Sequence, residues 1–174
     1  IYSMGLLLYG MGDALSFGGD AIAHAAALAK ADESERLCTP RGTNGARVFA
    51  AYGARGAIGE AADGFFHAQY CADRLLAHAH EDNPGALALC DMMLILNDTN
   101  LLHRGGAEGL RYVKARAKEI ASLPASERVA ALEAFDADLI ARNLSPGGCA
   151  DMLALGYFLN AWRTLSSALW EVDA

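Results

Sequence analysis

The sequence predicts an all-α protein, a single-domain bundle of about seven to nine helices over residues 1–174. Alanine is abundant and only 4 prolines occur in 174 residues; these are the strongest helix former and the strongest helix breaker. Hydrophobic residues make up 53% of the chain and charged residues 20%, which excludes a disordered protein and supplies one core. No stretch sustains the alternation of apolar and polar residues that is typical of strands.

The first half of the chain predicts helices that are separated by two connections. Residues 31–45 are rich in charged and turn-forming residues and predict a connection. Residues 52–65 contain four glycines and predict a loop that lines a site, because glycine lets the backbone approach a ligand. The predicted helices of this half are residues 1–11, SFGGD (16–20) to about residue 30, 46–52 and 66–79.

The second half has clearer helix boundaries. Asn83 followed by Pro84 is a strong helix start, because asparagine caps the N-terminus and proline is tolerated in the first turn. The stretch NLSPGG, residues 143–148, combines turn-forming residues and predicts a break. The predicted helices of this half are residues 84–96, 108–122, 124–142 and 150–169.

Charge and cysteine usage exclude several classes of partner. The formal net charge of −7 argues against non-specific binding to nucleic acid or to an anionic membrane. No uninterrupted apolar run reaches the length of a transmembrane helix, so no membrane partner is expected. The cysteines Cys38, Cys71, Cys90 and Cys149 form no CxxC pair, and we interpret them as buried free thiols of a cytoplasmic protein.

Two adjacent glycines precede a predicted helix in SFGGDA, HRGGAEG and SPGGCAD, and each has an acid nearby, namely Asp20, Glu108 and Asp151. A helix N-terminus presents unpaired N–H groups, and glycines let a ligand come close to them. Phosphate could bind there directly, or the carboxylates could hold a divalent cation that carries the phosphate. The alternative is structural, with tight turns and first-turn acids that stabilise the helix. We adopt the structural interpretation for Asp20.

A polar cluster follows the apolar run that ends at Leu96, in LNDTNLLHRGG. The residues before it must be largely buried, so Asp98 lies at the edge of the core, where a carboxylate without a partner is costly. Either a metal ion or Arg104 could relieve that cost, and the sequence leaves both open. Asp91 is expected on the same helix face as Asp98, so both acids could face one cleft.

Three segments, GARGAIGEAADGF, DTNLLHRGGAEGLRYV and NLSPGGCADMLALGYFLNA, resemble in this order the triphosphoribosyl-dephospho-CoA synthase family. The D-T-N…R-G-G and N-L-S-P-G-G-x-A-D signatures are specific together, and the resemblance extends over essentially the whole chain. Chains of that family carry a further segment before the position of Ile1. The resemblance therefore implies the C-terminal part of the family's chain, a single helical catalytic domain over residues 1–174 that lacks the N-terminal segment. Weak or no activity of this part alone is expected.

The reaction that the resemblance implies is a pentosyl transfer. The ribose 2′-hydroxyl of 3′-dephospho-CoA would attack C1 of the ribose of ATP, adenine would leave, and the triphosphate would stay on the transferred ribose. The product is the prosthetic-group precursor of the acyl carrier subunit of citrate lyase or malonate decarboxylase. Mg²⁺ and arginines would hold the triphosphate. A carboxylate would take the hydroxyl proton or stabilise an oxocarbenium-like centre. Further expected partners are a second copy of the chain or the N-terminal segment.

The same resemblance yields the candidate site residues. Expected catalytic residues are Asp98, Asp151 and Asn100, and expected Mg²⁺ ligands are Asp98, Asp151 and Glu108. Substrate contacts are expected from Arg104, Arg55, Gly105, Gly106, Ser145, Gly147, Gly148, Thr43 and Glu60.

Two other functions stay open. A Mg²⁺-dependent helical phosphohydrolase also gathers Asp, Asn, His and Arg between helices, and it would release inorganic phosphate instead of adenine. A non-catalytic helical domain would bind nucleotide without turnover. The histidines outside the polar cluster are interpreted as structural or surface residues, namely His24, His67, His78 and His80.

Overall fold

The computed structural model describes the backbone of residues 2–17, 20–38 and 42–171, and the side chains of residues 4–12, 20–31, 33 and 42–166. Within these ranges the chain is helical and contains no strand, which confirms the predicted all-α class. The described residues form nine helices: α1 (Tyr2–Phe17), α2 (Ala21–Cys38), α3 (Asn44–Tyr52), α4 (Gly56–Ala62), α5 (Phe66–Ala77), α6 (Pro84–Ile95), α7 (Thr99–Ala121), α8 (Ala125–Ala141) and α9 (Gly147–Glu171).

Helix α2 is longer than predicted. It continues through the charged stretch ADESERLC to Cys38, so the connection predicted over residues 31–45 is wrong for that part. Alanine, glutamate, arginine and leucine are good helix formers, and charge alone does not end a helix without proline, glycine or a cap. Residues 39–41 of the predicted connection lie outside the described residues.

Two further boundaries differ from the prediction. The expected loop over residues 52–65 contains the short helix α4, although its residues do line a cleft. Helix α7 begins at Thr99 and includes the HRGG segment, so the expected start near residue 108 is wrong. Gly106 has non-helical angles, φ 62° and ψ −165°, and it kinks α7 without ending it.

The predicted caps are present. Asn83 accepts a hydrogen bond from the backbone N–H of Ala86 at 3.1 Å, and Pro84 occupies the first turn of α6. The Asp20 carboxylate accepts from the N–H of Ile22 at 2.8 Å and caps α2, which confirms its structural interpretation. Helix α1 continues to Phe17, so its predicted end at residue 11 is wrong. The remaining predicted helices agree with the observed ones within a few residues.

Helix α5 is central, since it packs against α9 on one side and α6 on another. Helices α1, α2 and α4 pack on one another, whereas α8 covers α6 and α7. The core between these helices is apolar, and its largest fully buried side chains include Phe65, Leu7, Met92, Leu101, Leu159 and Val113. Asp98, 1% exposed, lies among these residues, so the polar cluster reaches the core as predicted.

Buried thiols are part of the interior. Cys71, Cys90 and Cys149 are buried and free, as predicted, and Cys38 has no described side chain. Burial raises the pKa of the Cys71 and Cys90 thiols to about 11, and the negative charge of Asp91 contributes.

The structure also tests the predicted exposure of two histidines and the expected absence of a membrane-spanning helix. His78 is buried, 8% exposed, so its interpretation as a surface residue is wrong, whereas His80 is exposed. Within the described ranges, no single helix is both long and apolar enough to cross a membrane; only α6 and α7 together, bent by 59°, would qualify by length and composition.

Candidate active site

One cleft of about 600 Å³ gathers the three sequence motifs. Its walls are α4 with the residues before it, the break between α6 and α7, and the N-terminus of α9. The lining residues that carry polar side chains are Arg55, Glu60, Asp63, His67, Asn97, Asp98, Thr99, Asn100 and Asp151. Gly147 and Gly148 also line the cleft.

Asp98 joins two helix N-termini at the bottom of this cleft. Its Oδ1 accepts from the backbone N–H groups of Asn100 at 2.8 Å and Leu101 at 3.1 Å, which caps α7. Its Oδ2 accepts from the N–H of Cys149 at 2.9 Å, in the first turn of α9. Three N–H donors and two helix dipoles therefore stabilise the buried carboxylate, which explains how a charge is tolerated at this depth. Burial and the Asp98 carboxylate raise the pKa of the Cys149 thiol strongly.

Gly147 and Gly148 make room for this arrangement. A Cβ on Gly148 would lie 3.1 Å from the carboxylate carbon of Asp98, and one on Gly147 would lie 2.6 Å from the side-chain nitrogen of Asn100. Asn100 donates from that nitrogen to the carbonyl of Ser145 at 3.3 Å. The Gly-Gly pair of SPGGCAD thus lets two polar side chains of the DTN segment reach the first turn of α9.

Asp151 and Asn97 both line the cleft and differ in their contacts. Asp151 is exposed, and it makes no hydrogen bond or ion pair with the side chains and backbone that the structure describes. Asn97 is held by Lys114, whose Nζ donates to the Asn97 side-chain oxygen at 2.9 Å and to the carbonyl of Ile95 at 3.2 Å. Partial burial lowers the pKa of Lys114.

Arg55 is the one cationic side chain among the described residues that line the cleft. Its Nε donates to Glu33 at 2.6 Å and its Nη1 to Asp63 at 2.8 Å. The hydrogen bond to Glu33, followed by that to Asp63, raises the pKa of Arg55 against the opposing effect of burial. Gly59 has no Cβ, and one would clash with the Arg55 side chain, so glycine lets the arginine fold over α4. Two carboxylates already hold the guanidinium, whose five donors still leave capacity for a ligand.

Glu60 and His67 form a pair on the same wall. The Glu60 carboxylate is buried, and its Oε1 accepts from the backbone N–H of Ala68 at 3.0 Å. Its Oε2 lies 2.6 Å from Nδ1 of His67, which also lines the cleft. His67 therefore has a carboxylate partner and lies at the cleft, in addition to any structural contribution to α5.

Six of the predicted residues do not line the cleft. Arg104 donates to the side-chain oxygen of Asn143 at 2.9 Å and is exposed, so it forms no ion pair with Asp98. That outcome removes the ion-pair interpretation of Asp98. Asp91 does not face this cleft either, because its carboxylate bonds Arg74 at 2.6 Å instead. The predicted residues outside the lining are Arg104, Gly105, Gly106, Ser145, Thr43 and Glu108.

These residues have local structural contacts. A Cβ on Gly105 would clash with the Leu144 side chain, and Gly106 supplies the positive φ of the kink in α7. Thr43 caps α3 by accepting from the N–H of Ala46 at 3.2 Å. The Ser145 carbonyl, as above, accepts from Asn100 and so supports the cleft from behind.

Comparison with known families agrees with the motifs that line this cleft. The sequence model of the ATP:dephospho-CoA triphosphoribosyl transferase family matches residues 12–168. The chain belongs to the ATP:dephospho-CoA triphosphoribosyl transferase family. The matched residues include every residue that lines the cleft.

The curated relatives of this triphosphoribosyl transferase family member are longer than this chain. The 2-(5''-triphosphoribosyl)-3'-dephosphocoenzyme-A synthase of Haemophilus ducreyi is 41% identical over 121 residues, covering 67% of this chain and 38% of the relative. The probable synthase of Albidiferax ferrireducens is 44% identical over 127 residues, covering 67% and 41%. The synthase of Pectobacterium atrosepticum is 37% identical over 132 residues, covering 73% and 43%. The chain spans about two fifths of the length of these curated relatives. No solved structure matches it significantly.

Sequence reasoning missed four polar lining residues: Asp63, His67, Asn97 and Thr99. Asn97 and Thr99 flank Asp98 in the motif and could have been named from it. Asp63 lies in the motif GARGAIGEAADGF, three residues after Glu60, and could also have been named from it. His67 carries no local signal, because the turn between α4 and α5 brings it to Glu60.

Proposed function

We propose that this cleft binds the triphosphate of ATP and that the protein transfers the triphosphoribosyl group to the ribose 2′-hydroxyl of 3′-dephospho-CoA, with release of adenine. The observation that carries the proposal is the meeting of the three family motifs around Asp98, in a chain of the triphosphoribosyl transferase family. The named relatives are synthases of 2-(5''-triphosphoribosyl)-3'-dephosphocoenzyme A, which is the product of this transfer.

The charge of the cleft supports a divalent cation as part of the site. One arginine and four carboxylates line it, so a triphosphate alone would be repelled. Among the described residues, no group of three or more His, Cys, Asp or Glu side chains could hold a metal ion. Mg²⁺ fits a site with fewer than three protein ligands, because it usually binds one or two carboxylates and completes its shell with water and phosphate oxygens.

Asp151 and Asp98 are the residues that would hold Mg²⁺. Asp151 is exposed at the cleft and free of partners among the described residues, and Asp98 retains acceptor capacity beside its three N–H donors. Glu108, the third predicted ligand, does not line the cleft. When bound, Mg²⁺ would neutralise the triphosphate charge and fix its orientation.

The chain's own groups would bind the remaining phosphate oxygens. The first N–H groups of a helix have no acceptor within that helix, so those of Gly147 and Gly148 suit phosphate oxygens at the start of α9. Arg55 would add charge-assisted hydrogen bonds from the opposite wall. Asn100, fixed by the Ser145 carbonyl, would orient the ribose between them.

An assay of adenine release tests the proposal and separates the alternatives. The chain would be incubated with ATP, Mg²⁺ and 3′-dephospho-CoA, alone and together with the part of the Haemophilus ducreyi relative that lies outside the match. We expect adenine to be released in a 3′-dephospho-CoA-dependent way, without inorganic phosphate. Inorganic phosphate without adenine would establish a phosphohydrolase instead. Binding of Mg·ATP without either product would favour a non-catalytic nucleotide-binding domain.

We further propose, from the family resemblance, that the product is the precursor of the prosthetic group on the acyl carrier subunit of citrate lyase or malonate decarboxylase. Use of ATP and dephospho-CoA favours the cytoplasm as the compartment.

A further inference from the structure

We propose that His67 accepts the proton of the attacking 2′-hydroxyl and that Glu60 is the residue that positions it. This inference rests on the proposed function, since it names the group that activates the acceptor substrate. His67 lines the same cleft as Asp98 and Asp151, and its side chain is 27% exposed. It is the one histidine among the described residues of that cleft.

The Glu60 carboxylate fixes the orientation of the imidazole. Glu60 is 8% exposed, and both of its oxygens are engaged, Oε1 by the backbone N–H of Ala68 and Oε2 by Nδ1 of His67. An ionised carboxylate only accepts hydrogen bonds, so in neutral imidazole the proton must lie on Nδ1. Nε2 then carries the lone pair, and it is the ring nitrogen left for a ligand.

The other acids of the cleft are less suited to accept a proton. Asp98 already accepts three backbone N–H hydrogen bonds, and the proposed cation would use its remaining acceptor capacity. Asp63 is engaged in an ion pair with Arg55. Asp151 is free, but the triphosphate needs a cation on that side of the cleft. The charged side chains that line the cleft with His67 are Glu60, Asp63, Arg55, Asp98 and Asp151.

The step balances without any further reagent. Nε2 of His67 takes the hydroxyl proton, and the hydroxyl oxygen forms a bond to C1 of the ATP ribose. The bond between C1 and adenine N9 breaks, and its electron pair leaves with adenine, which takes a proton from water. The imidazolium, stabilised by Glu60, returns its proton to water. The net transfer is one proton from the acceptor hydroxyl to adenine.

A second histidine–carboxylate pair on α5 provides a matched control. His78, at the end of that helix, is buried, and its Nε2 lies 2.8 Å from Asp91 Oδ2. It does not line the cleft. His78→Gln therefore removes a histidine–carboxylate pair from the same helix without touching the proposed proton acceptor.

The experiment compares His67→Gln, Glu60→Gln and His78→Gln in the adenine-release assay described above. We expect His67→Gln to lower kcat roughly 10²- to 10⁴-fold, as is typical for loss of a general base, with the Kd of Mg·ATP unchanged. The rising limb of the wild-type pH profile, which follows imidazole deprotonation, should disappear. Glu60→Gln should also lower kcat, because its amide would donate to Nδ1 and place the proton on Nε2. His78→Gln should retain kcat and the pH profile.

Two results would overturn the inference separately from the proposed function. If the wild type releases adenine and His67→Gln retains kcat and the rising limb, His67 is not the base. If ¹⁵N NMR of the imidazole shows the proton of neutral His67 on Nε2, the geometry is wrong regardless of turnover. A wild type that releases no adenine under any of these conditions overturns the proposed function itself, and this inference falls with it.

Discussion

The two Gly-Gly pairs of the family motifs have the same local pattern and different structural consequences. Gly105 and Gly106 lie inside α7, where one packs against the Leu144 side chain and the other supplies a kink. Gly147 and Gly148 lie in the first turn of α9, where their missing Cβ atoms leave space for Asn100 and Asp98. One pair accommodates apolar packing and backbone direction, and the other accommodates polar side chains at a helix N-terminus.

A Gly-Gly pair near a helix start is therefore not by itself evidence of a ligand site. The decisive feature is what occupies the space that a Cβ would fill. Around Gly148 it is a carboxylate held by N–H groups of two helices, which is an arrangement suited to a cation that carries a phosphate. Around Gly105 it is the end of a leucine side chain, which is an ordinary packing contact.

The largest effect is expected from Asp98→Asn. An amide can accept at one atom only, so its NH₂ group would face a backbone N–H of α7 or α9 in a buried place. We expect a loss of folding stability on the order of 2–4 kcal/mol and a strong decrease in Mg·ATP affinity. Urea denaturation and calorimetric titration measure the two quantities.

Asp20→Asn is the matched control for that variant. Asp20 also caps a helix, but it is exposed, and asparagine is an equally good cap, so its effect on stability should be below about 0.5 kcal/mol. Equal, small losses of folding stability in both variants would contradict the role of Asp98 as a buried residue that caps α7 and bonds the first turn of α9.

The next largest effects are expected from alanine substitutions in the two glycine pairs, which compare the pairs directly. In Gly148→Ala the Cβ would lie 3.1 Å from the Asp98 carboxylate, so the carboxylate must shift from the first turn of α9. We expect Mg·ATP binding to weaken by about tenfold, which corresponds to about 1.4 kcal/mol. Gly105→Ala should instead cost about 1–3 kcal/mol of stability through overpacking against Leu144, with unchanged nucleotide affinity. Weaker binding in Gly105→Ala alone would invert the assignment of the two pairs.

The sequence predicted the fold class and most of the cleft for identifiable reasons. Abundant alanine and rare proline favour helices regardless of tertiary context, and the cap at Asn83 is determined within a few residues. Asp98, Asn100 and the glycines of SPGGCAD belong to two motifs that the structure brings into one cleft.

Other features could not be read from local sequence. The extension of α2 contradicts a prediction from charge, because charge does not end a helix. Local sequence does not show that Arg104 bonds Asn143, which follows α8, and the position of His67 depends on the turn between α4 and α5. Such tertiary geometry decides which polar residues of a motif reach the cleft.

The smallest effect is expected from the arginines. Arg55→Lys should weaken Mg·ATP binding by a few fold, because lysine cannot reproduce a guanidinium that bonds two carboxylates and a phosphate at once. Arg104→Lys should leave binding nearly unchanged, since Arg104 is exposed and bonds Asn143 away from the cleft. Titration of both variants with Mg·ATP checks the order. A larger loss in Arg104→Lys would place the phosphates beside the other glycine pair.

A crystal structure with ATP and Mg²⁺ bound tests most directly whether the cleft at Asp98 holds the triphosphate. We predict phosphate oxygens within hydrogen-bond distance of the N–H groups of Gly147 and Gly148, with the cation at Asp151. A triphosphate bound instead at Gly105, Gly106 and Arg104, with the first turn of α9 free of ligand, would contradict the proposed site.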